Sequence, residues 1–168
     1  MNNTYKTAAG GLTVTFAATD QGLFLAGLTD EVSSRTYLRE IQPLFSLEYE
    51  CLESGERATV SSADGWTVAA VDAGKDARQF ILSGCAKLPD VIVTLTVRGG
   101  DTRIVYELSL SSANAAVTLT ACDWPNLCFD KAEKRVFFNP YGPGEVWPSD
   151  KEGGFSSTQN YPSYGASM

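Results

Sequence analysis

A chain of 168 residues with 43% hydrophobic and 20% charged residues is long enough for one well-cored domain and too apolar for wholesale disorder. Its formal net charge of -7 argues against the basic surface that nucleic acid or an anionic membrane requires, so neutral or cationic partners fit it better. With 0 histidines it also excludes Ser-His-Asp and Cys-His catalysis and the usual zinc-hydrolase sites.

Along the chain the dominant signal is period-two alternation of apolar and polar residues, the mark of a half-buried strand. The opening Met1 to Gly11 carries no apolar signal-peptide core, which favours a cytoplasmic location, and no run is long enough for a transmembrane helix. Leu12-Thr13-Val14-Thr15-Phe16 alternates, turns at Asp20-Gln21-Gly22, and resumes through Leu23 to Leu28. Ser34 to Ile41, ended by Pro43, is the one stretch that reads as a short helix. Phe45, Leu47 and Tyr49 then oppose Ser46, Glu48 and Glu50, a pairing that leaves both glutamates on a solvated face. Ala63-Asp64-Gly65 leads into a strand over Trp66 to Val71, and Arg78 to Ser83 forms another short run.

The clearest pattern comes next. Val91, Val93, Leu95 and Val97 share one face, and Thr94, Thr96 and Arg98 the other. After Gly99-Gly100-Asp101, Ile104, Tyr106, Leu108 and Leu110 point one way and Arg103, Glu107 and Ser109 the other. Glycines between two alternating runs signal a hairpin, because they supply the positive φ of tight turns. Val117-Thr118-Leu119-Thr120-Ala121 follows the polar turn Ser112-Ala113-Asn114, so three successive antiparallel strands are expected in one half-buried sheet. Val136-Phe137-Phe138 reads as a late strand. About ten short strands separated by turn residues predict an all-β fold, a two-sheet antiparallel β-sandwich. It spans residues 1–138, and a Gly/Pro/aromatic-rich tail over 139–168 is expected to pack on it and to begin an interface with a neighbour.

The four cysteines, Cys51, Cys85, Cys122 and Cys128, form no C-x-x-C pair and each lies in or beside an apolar run. That placement favours free thiols over a zinc site, with a Cys122/Cys128 disulfide as the alternative. No cofactor is called for: Gly142-Pro143-Gly144 lacks the Lys-Ser/Thr of a phosphate loop.

Aromatic residues gather late. Trp124, Tyr141, Trp147, Tyr161 and Tyr164 are the expected anchors of a domain interface, with ordinary core packing and direct sugar contact as alternatives. Glu145, beside Trp147, joins this set; a glycosidase needs a pair of carboxylates, and a loop carboxylate is the plainer role. No catalytic residue is assigned.

In order, these segments resemble the N-terminal β-domain of large bacterial glycoside hydrolases, the galactose-mutarotase-like supersandwich that precedes a (β/α)8 barrel. The resemblance rests on the LTVTF strand, DQG turn and second strand ending in LTD within Leu12 to Asp30. It rests also on IVYELSLSSANAAVTLTACDWPNL, a strand, polar turn, strand and P-x-L sequence, and on FFNPYGPGEVWPSD and YPSYGASM, similar to the Pro-Gly loop and the join to the barrel. The group most resembled is an uncharacterised set of glycosidases related in sequence to endo-α-N-acetylgalactosaminidases. The resemblance implies a non-catalytic accessory domain that supports or lines the active site of a following barrel, where the nucleophile and the acid/base lie. Its partners are then the C-terminal catalytic domain of the same polypeptide and carbohydrate. True mutarotases use a histidine with a glutamate, so their activity does not carry over. A self-sufficient carbohydrate-binding module and a structural or assembly sandwich are the alternative readings.

Overall fold

The alternating runs become strands, and no helix occurs among the described residues. The computed structural model describes residues 3–38, 40–74, 76–112 and 116–126, together with the backbone of 136–139 and 145–148. The chain divides into two compact units, Met1–Cys128 and Phe129–Met168.

The first unit contains β1 (Asn3–Ala9), β2 (Leu12–Thr19), β3 (Gly22–Asp30), β4 (Arg35–Thr36), β5 (Gln42–Pro43) and β6 (Ser46–Cys51). These are followed by β7 (Arg57–Ser61), β8 (Thr67–Asp72), β9 (Ala77–Ser83), β10 (Val91–Gly99), β11 (Ile104–Ser112) and β12 (Val117–Asp123). One sheet runs β1-β2-β3-β4, with β5 also on β3; a second runs β11-β10-β9-β8; a third runs β12-β6-β7. Every pairing is antiparallel and none closes a barrel, so the unit is an all-β antiparallel sandwich. In the second unit β13 (Val136–Asn139) and β14 (Glu145–Pro148) form a hairpin.

Alternation decides what the layers bury. Val93, Leu95 and Val97 of β10 are fully enclosed, and their neighbours Ile92 and Arg98 face outward. Phe80 of β9 receives rings from the first sheet, Tyr5 at 5.4 Å and Phe16 at 5.2 Å between centroids. Edge-on and tilted ring pairs of this kind contribute about 1 kcal/mol each beyond the area they bury. Leu47 of β6 and Val60 of β7 join the same core, and Trp66 packs edge-on against Phe45. Two glycines permit close approach of the backbones. A Cβ at Gly99 would collide with the Ala8 carbonyl oxygen of β1, and one at Gly22 with that of Ser62.

Two expectations are corrected here. Residues Ser34 to Ile41 are not helical among those described; they hold β4 and the approach to β5. The Asp30 carboxylate accepts the Val32 N–H at 2.9 Å and the Ser33 hydroxyl at 2.6 Å, and Ser34 takes φ 57. Arg35 then lies opposite Asp30, and the Tyr37 N–H donates to the Leu28 carbonyl at 2.8 Å. The backbone groups are thus satisfied by β3 instead of by a helical turn.

The second correction concerns β12. It does not extend the β10–β11 hairpin but pairs with β6, with Val117 opposite Cys51 and Leu119 opposite Tyr49. The Leu52 N–H donates to the Ala116 carbonyl at 2.9 Å, which fixes the start of β12 beside the β6–β7 turn. Alternation sets which face a residue shows, not which strand lies beside it. Strands β1, β7 and β14 also appear where no strand was expected.

Candidate functional site

The predicted interface residue that the structure describes in full is Trp124. It follows β12 directly, and its position is set by the next residues. The Asn126 N–H donates to the Leu44 carbonyl at 2.9 Å, and the Gln42 side-chain amide donates to the Asn126 carbonyl at 3.3 Å. The Trp124-Pro125 peptide just before this anchor is cis. So held, the indole meets Tyr106 of β11 edge-on, with centroids 5.9 Å apart and planes at 80°.

Tyr106 lies opposite Val97 and its ring reaches Phe16 at 6.4 Å. Phe16, Tyr106 and Trp124 form a row of rings from the sealed core to a half-buried margin. Leu108 of β11, with Val117 and Leu119 of β12, packs against the core and is likewise half-buried. Burial pushes the Tyr106 phenol up to about 12, because a phenolate there would lose its hydration. The hydroxyl is therefore a neutral hydrogen-bonding group and no base at neutral pH. A margin of this composition can receive an apolar or aromatic surface; it offers no proton-transfer group.

Glu145 and Trp147 lie on β14, at register positions opposite Asn139 and Phe137. Tyr141, Tyr161 and Tyr164 lie outside the described residues.

The stretch Ala63-Asp64-Gly65 that leads into β8 carries a hydrogen-bond network. The Asp64 carboxylate accepts the Ser61 N–H at 2.6 Å and the Ser61 hydroxyl at 2.7 Å on one oxygen, and the Lys87 ammonium at 2.7 Å on the other. The Trp66 indole N–H donates to the Ser61 carbonyl at 2.8 Å, and the Cys85 thiol to the Asp64 carbonyl at 3.2 Å. Burial alone would raise the Asp64 carboxyl, but Lys87 and the two Ser61 donors outweigh it and hold it below its ordinary value. Adjacent Ser62 is fully buried; its hydroxyl donates to the Leu23 carbonyl at 2.6 Å and accepts the Leu44 N–H at 2.7 Å. Both Asp64 oxygens and the Ser62 hydroxyl are committed to fixing the turn after β7 against its neighbours. The signal in the sequence was Ser61 three residues before Asp64, the spacing of a side-chain-capped turn.

Cys51, Cys85 and Cys122 are free thiols, and Cys128 lies outside the described residues. The Ser54 hydroxyl, with the Ser54 and Glu53 N–H groups, lowers the Cys51 thiol; burial, with Asp123 beside it, raises Cys122. Among the described residues no cluster of three or more His, Cys, Asp and Glu could hold a metal ion, and no helix is long and apolar enough to cross a membrane.

No family model matches the chain, and no curated protein matches it in sequence.

Proposed function

We propose that this chain is a non-catalytic accessory β-sandwich of a glycoside hydrolase, which supports or lines the active site of a following barrel. The observation that carries the reading is the half-buried ring row ending at Trp124, where the margin of the sandwich presents aromatic and aliphatic surface. Half-covered Trp and Tyr rings are the residues that protein interfaces use as anchors. Ser62 and the Asp64–Lys87 pair are committed to hydrogen bonds within the fold. The resemblance of segment order to supersandwich domains points the same way.

The reading is tested on the chain by calorimetric titration with a panel of polysaccharides, run beside an assay for release of reducing sugar. An accessory domain gives neither heat of binding nor hydrolysis. Saturable binding that Trp124→Ala abolishes assigns a self-sufficient carbohydrate-binding module instead, and turnover by the chain alone retires both readings.

A further inference from the structure

Asp64-Gly65 is the one Asp-Gly step in the sequence, which has no Asn-Gly step. An Asp-Gly step is prone to rearrange without an enzyme, because glycine has no side chain to shield its nitrogen. The Gly65 nitrogen attacks Asp64 Cγ and forms an N–Cγ bond. One carboxyl oxygen leaves as water, carrying the carboxyl proton and the amide proton. Water then opens the five-membered imide at either carbonyl, giving aspartate or isoaspartate. The first step needs a protonated carboxyl, a Gly65 N–H free of hydrogen bonding, and the carboxyl swung over that nitrogen.

The turn between β7 and β8 denies all three. Lys87 and Ser61 hold the Asp64 carboxylate ionised. One of its oxygens is aimed back at Ser61, upstream of the step. The Gly65 N–H donates to the Gln21 carbonyl at 2.8 Å. On either side, buried Ser62 and buried Trp66 pin the backbone, the Trp66 indole by its bond to the Ser61 carbonyl. Gly65 itself is exposed, so water reaches the step once the turn gives way. We infer that Asp64-Gly65 is a modification site gated by the fold, where isoaspartate forms only when the β7–β8 turn opens. Isoaspartate has one more carbon in the main chain and one fewer in the side chain, so the cap on Ser61 cannot re-form. Each opening that goes on to react therefore leaves a lasting mark at position 64. The inference stands apart from the proposed accessory role.

Incubation of the full chain in mildly acidic buffer, with and without urea, tests it. Peptide mapping that separates aspartate from isoaspartate at position 64 gives the rate. The folded parent is expected to react at least about tenfold more slowly than the unfolded chain, because reaction draws on the opened population alone. Lys87→Met keeps the apolar stem and removes the charge. It is expected to raise the folded-state rate about threefold, the worth of an exposed ion pair, and to leave the rate in urea unchanged. Arg57→Met breaks the ion pair with Glu50 instead and leaves both rates unchanged. Circular dichroism confirms that each variant folds. Equal rates for the folded and the unfolded parent overturn the inference, as does a folded Lys87→Met protein that reacts no faster than the parent.

Discussion

Gly22 sits so close to the Ser62 carbonyl that no side chain fits between them, and the same Ser62 oxygen accepts the Leu23 N–H at 2.9 Å. Gly22 also takes φ 133, a conformation that L side chains rarely adopt. Gly22→Ala is therefore expected to cost about 3 kcal/mol or more. Ser62→Ala leaves the buried Leu44 N–H without its acceptor and costs about 1–3 kcal/mol. Urea unfolding of both variants measures this, and a Gly22→Ala protein as stable as the parent would refute the contact.

The Asp64–Lys87 pair predicts how stability responds to acid and base. Asp64 has a folded pKa below its ordinary 3.8, so its contribution is present above that value and disappears as pH falls through the folded one. Lys87 is raised above 10.5 by its hydrogen bond to Asp64, so its contribution holds below that pH and fades as pH rises through the folded pKa. Asp64→Asn should flatten the acid limb of a melting-temperature profile, and it should remove the Lys87 contribution to the alkaline limb. Profiles of parent and variant that run parallel at acid pH would count against the pair.

Tyr106 and Trp124 shield one another from water. In the parent, the ultraviolet phenolate band of Tyr106 should appear at a midpoint of about 12, with Tyr106→Phe identifying its share. Trp124→Ala opens the margin, so the midpoint should fall toward about 10 and stability by about 2 kcal/mol. An unchanged midpoint would mean that Trp124 contributes nothing to burying the phenol.

The thiols should react in a fixed order. Cys51 is half-buried and its thiolate is stabilised by the Ser54 hydroxyl. Cys122 is the more exposed, but partial desolvation and the Asp123 carboxylate raise it, so thiolate character and not access sets the order; Cys85 is enclosed. Limited alkylation of the native protein, read by peptide mass mapping, should modify Cys51 before Cys122 and leave Cys85 until unfolding. Early loss of the Cys85 thiol would contradict the packing of the Asp64 turn.

Much of the sandwich could be read from residues alone where one face is apolar and the other is not. The run from Val91 to Arg98 and the Gly99-Gly100-Asp101 turn fixed a hairpin, because a single slip would turn four branched aliphatics to water. Ser34 to Ile41 read as helical because the order there starts from the Asp30 carboxylate closing a turn, a contact that periodicity does not encode. The small Thr and Ala side chains of β1 concealed a strand whose inward Tyr5 meets Phe80. The transfer of β12 to β6 depends on pairing between strands distant in the chain, to which local pattern is blind. Of the candidate site, Trp124 was legible as one of the aromatic residues gathered late in the chain. Its partner Tyr106 was hidden among the regular inward residues of β11.

On the proposed function, these residues serve as one module of a larger carbohydrate-acting polypeptide. The most direct test of that function is the intact mass of the protein isolated from the cells that make it, with peptide sequencing beyond Met168. The account predicts a mass well above 18.0 kDa and a barrel sequence bearing two catalytic carboxylates. A native polypeptide of 18.0 kDa, ending at Met168, would contradict it.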